Sequence, residues 1–198
     1  MSPTQFSKPL AVLAIALLSL TMTGCHTVPL GDPDKSTADA KLAGWWEAEK
    51  PGVLINVFPY DKHTYVITCY GYEFSGDKVK PQSRFITKAW HTSVAGIDLI
   101  TAQIINPEWD VTAGKDADAR YSYFRITRTD DAVEVRALDI DFLKDTKTPQ
   151  ELEKKIADNA KNPQLFGNNE PAKLTRVPDS KKDDMKKVLE AFSPEKSQ

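Results

Sequence analysis

Two periods divide the chain. Between residues 42 and 141, β-branched and aromatic residues fall in short runs separated by Gly, Pro, Asn, Asp or Ser, the pattern of short strands joined by turns. The runs are Leu42–Glu47, Val53–Phe58, His63–Tyr70, Ser83–Val94, Ile97–Ile105, Tyr121–Thr129 and Ala132–Asp141. Gly71 either ends the third run or marks a bulge before Tyr72, and Pro81 separates the Ser75–Lys78 turn from the fourth. Ala95-Gly96 and Thr129-Asp130-Asp131 predict tight hairpin turns, while Asn106–Ala119 has no periodic pattern. Trp45 and Trp46 are adjacent in a strand, so they point to opposite faces: one inward, the other to a rim or under a loop.

After residue 141 the period lengthens. Thr148-Pro149-Gln150-Glu151 reads as an N-cap, a proline at the first helical position and a reciprocal acid, and Leu152, Ile156 and Ala160 follow on one face. This predicts a helix over about 149–160, stopped by Asn162-Pro163. Pro171–Val177 supplies an eighth, closing strand. Asp179 or Ser180 caps a last helix, whose Met185, Val188, Leu189 and Phe192 form one apolar face. The predicted class is mainly β: an antiparallel up-and-down sheet of about eight strands that closes into a barrel, with two α segments near the C-terminus. Closure removes sheet edges, which otherwise invite aggregation.

The first 25 residues follow a different logic. Lys8 is the only charge before Asp32, and it precedes an apolar run from Leu10 to Leu20. As a helix that run would be roughly 16 Å long, about half of a ~30 Å hydrocarbon core. It reads as a secretory leader rather than a span. Thr27–Lys41, with Pro29, Gly31 and Pro33 among small polar residues, reads as a tether, the alternative being an ordered arm packed along the domain. The resulting division is 1–24 leader, 25–41 tether, 42–177 barrel domain and 178–198 C-terminal helix and tail.

Charge narrows the partners. The full chain carries 26 basic and 28 acidic residues; residues 1–24 contain one Lys and no acid, so the remaining 174 residues have a net charge of −3. That is no electrostatic footprint for nucleic acid.

Met22-Thr23-Gly24-Cys25 resembles the lipobox of bacterial lipoproteins, although members of that class more often carry Leu where Met22 stands. The resemblance implies cleavage before Cys25, a diacylglycerol on its thiol and a third acyl chain on the new amino terminus. Two chains already give stable anchoring. An ordinary cleaved leader, with Cys25 incidental, is the alternative. His26 stands where many inner-membrane lipoproteins carry a retention aspartate. By resemblance the outer membrane is therefore expected over the inner one, with the protein on its periplasmic face. If Cys25 is acylated, Cys69 has no partner within the chain, and it is expected to be a small buried thiol.

Gly44-Trp45-Trp46 resembles the Gly-x-Trp motif on the first strand of lipocalins and related up-and-down barrels. In that family the Trp plugs the closed end and an Arg near the last strand lies across it. The resemblance implies these parts for Gly44, Trp46 and Arg176. The family's Thr-Asp-Tyr-like turn is not matched, since Thr129-Asp130-Asp131 shares only two letters with it, and lipocalins place their helix after the final strand rather than before it. Small uncharacterised proteobacterial lipoproteins with a single β domain are similar in general plan.

Catalytic chemistry leaves little trace. His26, His63 and His91 lack metal-ligand spacing, and there is no zincin, nucleophile-elbow or phosphate-loop motif. Asp139 and Asp141 would share a face if their segment is a strand, either as a working carboxylate pair or as a solvated rim. Asp110, Asp116 and Asp118 lack calcium-loop spacing. Tyr65, Tyr70, Tyr72, Phe74, Phe85, Trp90, Tyr121, Tyr123 and Phe124 could equally fill a core or line a ligand cavity. No catalytic residue, cofactor or metal is assigned. The expected function is non-enzymatic: a membrane-anchored periplasmic lipoprotein holding a small apolar ligand or lipid in its barrel. The alternative is a structural lipoprotein with a filled core that binds an envelope protein.

Overall fold

The computed structural model describes residues 26–49, 52–105, 120–129 and 132–193. The leader, Cys25, Trp109 and the Asp110, Asp116 and Asp118 trio lie outside the described residues. The eight strands are β1 (Gly44–Ala48), β2 (Val53–Pro59), β3 (Thr64–Ser75), β4 (Lys78–Val94), β5 (Ile97–Ile104), β6 (Tyr121–Arg128), β7 (Ala132–Ala137) and β8 (Ala172–Arg176). Each pairs antiparallel with the next, and β8 returns to β1, so the sheet is a closed up-and-down barrel. Three α segments follow β7: α1 (Ile140–Leu143), α2 (Pro149–Asp158) and, after β8, α3 (Lys182–Ala191).

Strand alternation sorts side chains into two cores. Trp46, Tyr65, Ala89, Ile100, Ala102, Ile126 and Val133 face inward. Val94, Leu99 and Tyr123 face outward, and there they meet Leu143, Leu152, Ile156, Leu165 and Phe166 from the helical segment between β7 and β8. Leu99, Ile100, Thr101 and Ala102 are consecutively buried because both faces of β5 are covered. The cross-strand partners Arg125 and Arg136 both bring their guanidinium groups over the Phe166 ring, at 4.8 and 4.5 Å from its centroid.

The third layer of the outer core is the stretch expected to be a tether. His26, Val28 and Leu30 are buried against β4–β6, with Leu30 fully inaccessible. The reason is hydrogen bonding as much as apolar contact. The Leu30 carbonyl accepts from Trp90 Nε1 (2.8 Å) and Thr101 Oγ1 (3.0 Å), and the Val28 carbonyl accepts from the Tyr123 hydroxyl. His26 forms an antiparallel bridge with Tyr121. Farther along, Ser36 exchanges hydrogen bonds with His91, and Asp39 reaches the Tyr65 hydroxyl. Gly31 adopts φ +71° where a Cβ would fall 2.1 Å from Thr92 Oγ1, so only glycine lets the arm lie this close. Residues 26–42 are thus not a tether but the alternative to it, an ordered arm that runs down the barrel wall and under the end where β1 starts.

Three local expectations change. Pro81 does not separate two elements; it sits within β4 opposite Tyr72, where the register shifts between Gly71 and Tyr72. A proline is tolerated at such an irregularity because no ladder bond is demanded of it. The last helix has no side-chain cap from Asp179 or Ser180: these form a 3₁₀ turn, and α3 begins at Lys182. The helix from Pro149 ends at Asp158, which leaves Ala160 beyond it. The N-cap and the Pro at the first position are as read, with Glu151 N donating to Thr148 Oγ1 (3.2 Å), but Glu151 Oε2 accepts from Lys147 N (2.8 Å), the residue before the cap.

Asp139 and Asp141 do not share a strand face. β7 stops at Ala137, and Asp139 is the N-cap of α1, accepting from Asp141 N (2.9 Å) and Phe142 N (3.4 Å). Asp139→Ala is expected to cost about 1 kcal/mol, the ordinary worth of a cap. Asp141→Ala, a surface change, should stay within about 0.5 kcal/mol. Urea midpoints of the two variants measure the difference.

Candidate functional site: an apolar barrel interior with one closed end

The barrel is sealed at the end where β1 starts and β8 finishes. Trp46 points inward and is 4% exposed, with its Nε1 donating to the Leu42 carbonyl (2.8 Å). Trp46 and Arg176 are directly opposed across the β1–β8 seam, and the Arg176 guanidinium lies over the indole, 4.3 Å from its centroid. The same guanidinium donates to the carbonyls of Ala43 (2.8 Å) and Lys41. It therefore ties the last strand to the arm as the arm enters β1. Gly44, at φ +122°, makes room: a Cβ there would stand 2.7 Å from Arg176 Nη1. At so exposed an arginine the stacking contributes about 0.5–1 kcal/mol. Trp45 faces outward against Tyr70 (ring centroids 6.1 Å), and Tyr70 meets Phe192 edge-on (5.2 Å) at the end of α3.

Above Trp46 the barrel encloses a cavity of about 400 Å³. Its wall is aliphatic and aromatic, with Ile55, Val57, Ile67, Phe85, Ile100 and Phe124 prominent. Thr87, Ser122 and Cys69 contribute small polar atoms, and charge is confined to Glu49, Glu170 and Lys173 near the opposite rim. That rim is held by the Asn169 segment, whose carbonyl accepts from Arg136 Nε (2.7 Å) and whose amide donates to the Ala137 carbonyl (3.3 Å). The volume lies within the roughly 300–1,000 Å³ range of small-molecule sites. It also exceeds the ~150 Å³ at which an apolar cavity stays dry and takes up benzene. Little in the wall can hydrogen-bond water or orient a polar ligand, so shape and apolar contact set what fits.

The nine candidate rings divide three ways. Tyr65, Phe85 and Phe124 line the cavity. Trp90, Tyr121 and Tyr123 belong to the outer wall, where the arm crosses. Tyr72 and Phe74 border a groove beside Met185 and Val188 of α3, and Tyr70 packs against Phe192.

Burial pushes the Cys69 thiol up to about 12 from its ordinary 9.0, and the Tyr65 phenol up to about 12 from 10.0. Both groups are neutral in the folded chain and ionise only above their ordinary values. The folded state then holds more protons than the unfolded one between about pH 9 and 12. The contribution of these two groups to stability should be level below pH 9 and fall as pH rises through that window. At pH 8, Cys69 should resist a thiol reagent such as DTNB until denaturant is added, and urea melts at pH 8 and 10.5 test the fall in stability.

The histidines serve three separate local roles. His26 Nδ1 accepts from Val28 N (3.0 Å), which leaves the proton on Nε2 to donate to Thr146 Oγ1 (3.1 Å); that hydroxyl donates to the Leu143 carbonyl (2.8 Å). His63 stands just before β3 with Nδ1 on the Ser36 carbonyl (2.6 Å), and His91 faces Asp98 (3.2 Å). Among the described residues no three His, Cys, Asp or Glu side chains converge as a metal site. Sequence reasoning offered an ordered arm only as the alternative to a tether and did not single out His26, Val28 and Leu30 as its buried residues. Their spacing of two is a strand-like signal that the surrounding Pro and Gly obscured. No protein-family model, curated protein or solved structure matches this chain.

Proposed function

We propose that this protein is a lipid-anchored periplasmic lipoprotein of the outer membrane that binds a small apolar ligand or lipid inside its barrel and catalyses no reaction. The observation that supports ligand binding is the apolar cavity of about 400 Å³ above Trp46, left open by the inward side chains. A barrel built only as a scaffold gains stability by filling such a space, because an unfilled void forfeits dispersion contacts all along its wall. The lipidated Cys25 follows from the sequence resemblance alone: labelled palmitate should enter the wild-type chain and not Cys25→Ser.

Native mass spectrometry of the full chain purified without detergent tests the ligand. The expected result is a bound apolar species that is lost in Ala102→Trp. Ala102 faces the cavity from β5, so an indole there occupies the ligand's volume. The same variant should weaken uptake of an apolar fluorophore such as N-phenylnaphthylamine by tenfold or more, a change of about 1.4 kcal/mol. A bare wild-type mass with no fluorophore uptake would overturn the binding reading. It would favour the alternative lipoprotein, whose surface binds an envelope protein.

A further inference from the structure

We infer that the open rim of the barrel faces the lipid bilayer, so that the cavity exchanges its ligand with the membrane directly. This rests on the lipoprotein reading and adds an orientation to it. The geometry that carries it is the position of His26. Its amide donates to the Tyr121 carbonyl (3.0 Å) and its carbonyl accepts from Tyr121 N (2.8 Å). Its ring is buried between Val28 N and Thr146 Oγ1. Tyr121 is the first residue of β6, and the next residue, Ser122, lines the cavity. The chain therefore becomes fixed at the open rim, at the residue directly after the acylated cysteine. Successive Cα atoms are about 3.8 Å apart, so the acyl anchor is attached one peptide bond from a clamped residue. A free tether over residues 27–41 would have had a root-mean-square reach of roughly 20 Å and would have let the domain take any orientation.

Exposed large apolar residues stand at both ends of the barrel, so the orientation rests on the His26 clamp and not on them. Phe74 at the tip of the β3–β4 hairpin and Ile105 at the end of β5 are exposed large apolar residues, 47% and 42% accessible. They lie at the same end of the barrel as Tyr121, in the adjoining sector formed by β3, β4 and β5. Phe58 and Tyr60, the other exposed large apolar residues among those described, are more accessible, 59% and 67%, and sit at the closed end by the β2–β3 turn, where they serve as the contrasting probe sites. β3 alone is twelve residues long. At about 3.3 Å per residue this is roughly 40 Å of strand, and a tilt of 35–45° leaves roughly 30 Å along the barrel axis. An acyl anchor at one rim thus keeps the other end well away from the headgroups.

The test uses the full-length acylated chain in phosphatidylethanolamine–phosphatidylglycerol vesicles that contain a headgroup-proximal doxyl lipid. In a Cys69→Ala background, the single substitutions Phe74→Cys, Ile105→Cys, Phe58→Cys and Tyr60→Cys each carry an NBD fluorophore. NBD at 74 and 105 should be quenched, and NBD at 58 and 60 should not. A 20-residue Gly-Ser insert between Cys25 and His26 should abolish quenching at 74 and 105 while the protein stays on the vesicles. Quenching at 58 and 60, equal quenching at all four sites, or indifference to the insert would overturn the orientation. Intact mass of the same preparation separates the two failures: a chain without acyl groups refutes the lipoprotein reading, and an acylated chain with the wrong quenching pattern refutes the orientation alone.

Discussion

A chain that lacks residues 26–36 is expected to lose its cooperative unfolding transition. The arm contributes the buried side chains of Val28 and Leu30, each worth about 1.5–3 kcal/mol. It also supplies the carbonyls that accept from Trp90 Nε1, Thr101 Oγ1 and the Tyr123 hydroxyl, worth about 1 kcal/mol apiece. Without it the outward faces of Leu99, Tyr123 and Trp90 are opened to water as well. The combined loss is on the order of 10 kcal/mol, as large as the whole stability of a typical domain. Circular dichroism during a urea titration should show a broad, sloping change in place of a sigmoid. Leu30→Ala alone should keep the sigmoid and shift it by about 2–5 kcal/mol. A truncated chain that melts at the full chain's midpoint would show that the barrel is self-sufficient.

Trp46→Ala is the point substitution with the largest expected cost, about 3–5 kcal/mol from the lost ring alone. Two further losses follow from the geometry: the bond to the Leu42 carbonyl, and the surface over which Arg176 lies. Trp45→Ala removes an equally large ring from the outer face, where, among the described residues, Tyr70 alone is in ring contact with it. It should cost less than half as much. Chemical denaturation with an unchanged m-value for both variants measures the contrast. Similar costs for the two would mean that the inward ring does not carry the closed end.

The strands were legible because their chemistry is local. Val66-Ile67-Thr68 or Val133-Glu134-Val135 suits a pleated, half-buried surface whatever lies elsewhere in the chain. The start of α2 was legible for the same reason, since Thr148, Pro149 and Glu151 act within one turn. Features decided by distant partners were not legible. Leu30 is buried because Trp90 and Thr101 reach its carbonyl from β4 and β5. Asp139 caps a helix because β7 has already ended and the chain must turn toward Leu165, whose carbonyl accepts from Asp139 N (2.9 Å). The cavity was equally hidden. Tyr65 and Tyr123 are both fully buried rings on strands, yet one faces the interior and the other the arm. Only the register of each strand separates them.

The seam between β1 and β8 also sets a timetable. Arg176 donates to the Ala43 carbonyl across 133 positions of chain, and no pairing of β1 other than that with β2 can form before those residues exist. Seven of the eight pairings join sequence neighbours, but closure waits for that of β1 with β8, and β barrels acquire their native form in milliseconds to seconds rather than microseconds. A polypeptide emerging amino-terminus first would therefore present an unclosed, curling sheet with its greasy inner side accessible until nearly the last strand has arrived. That interval is when a holdase would have something to grip.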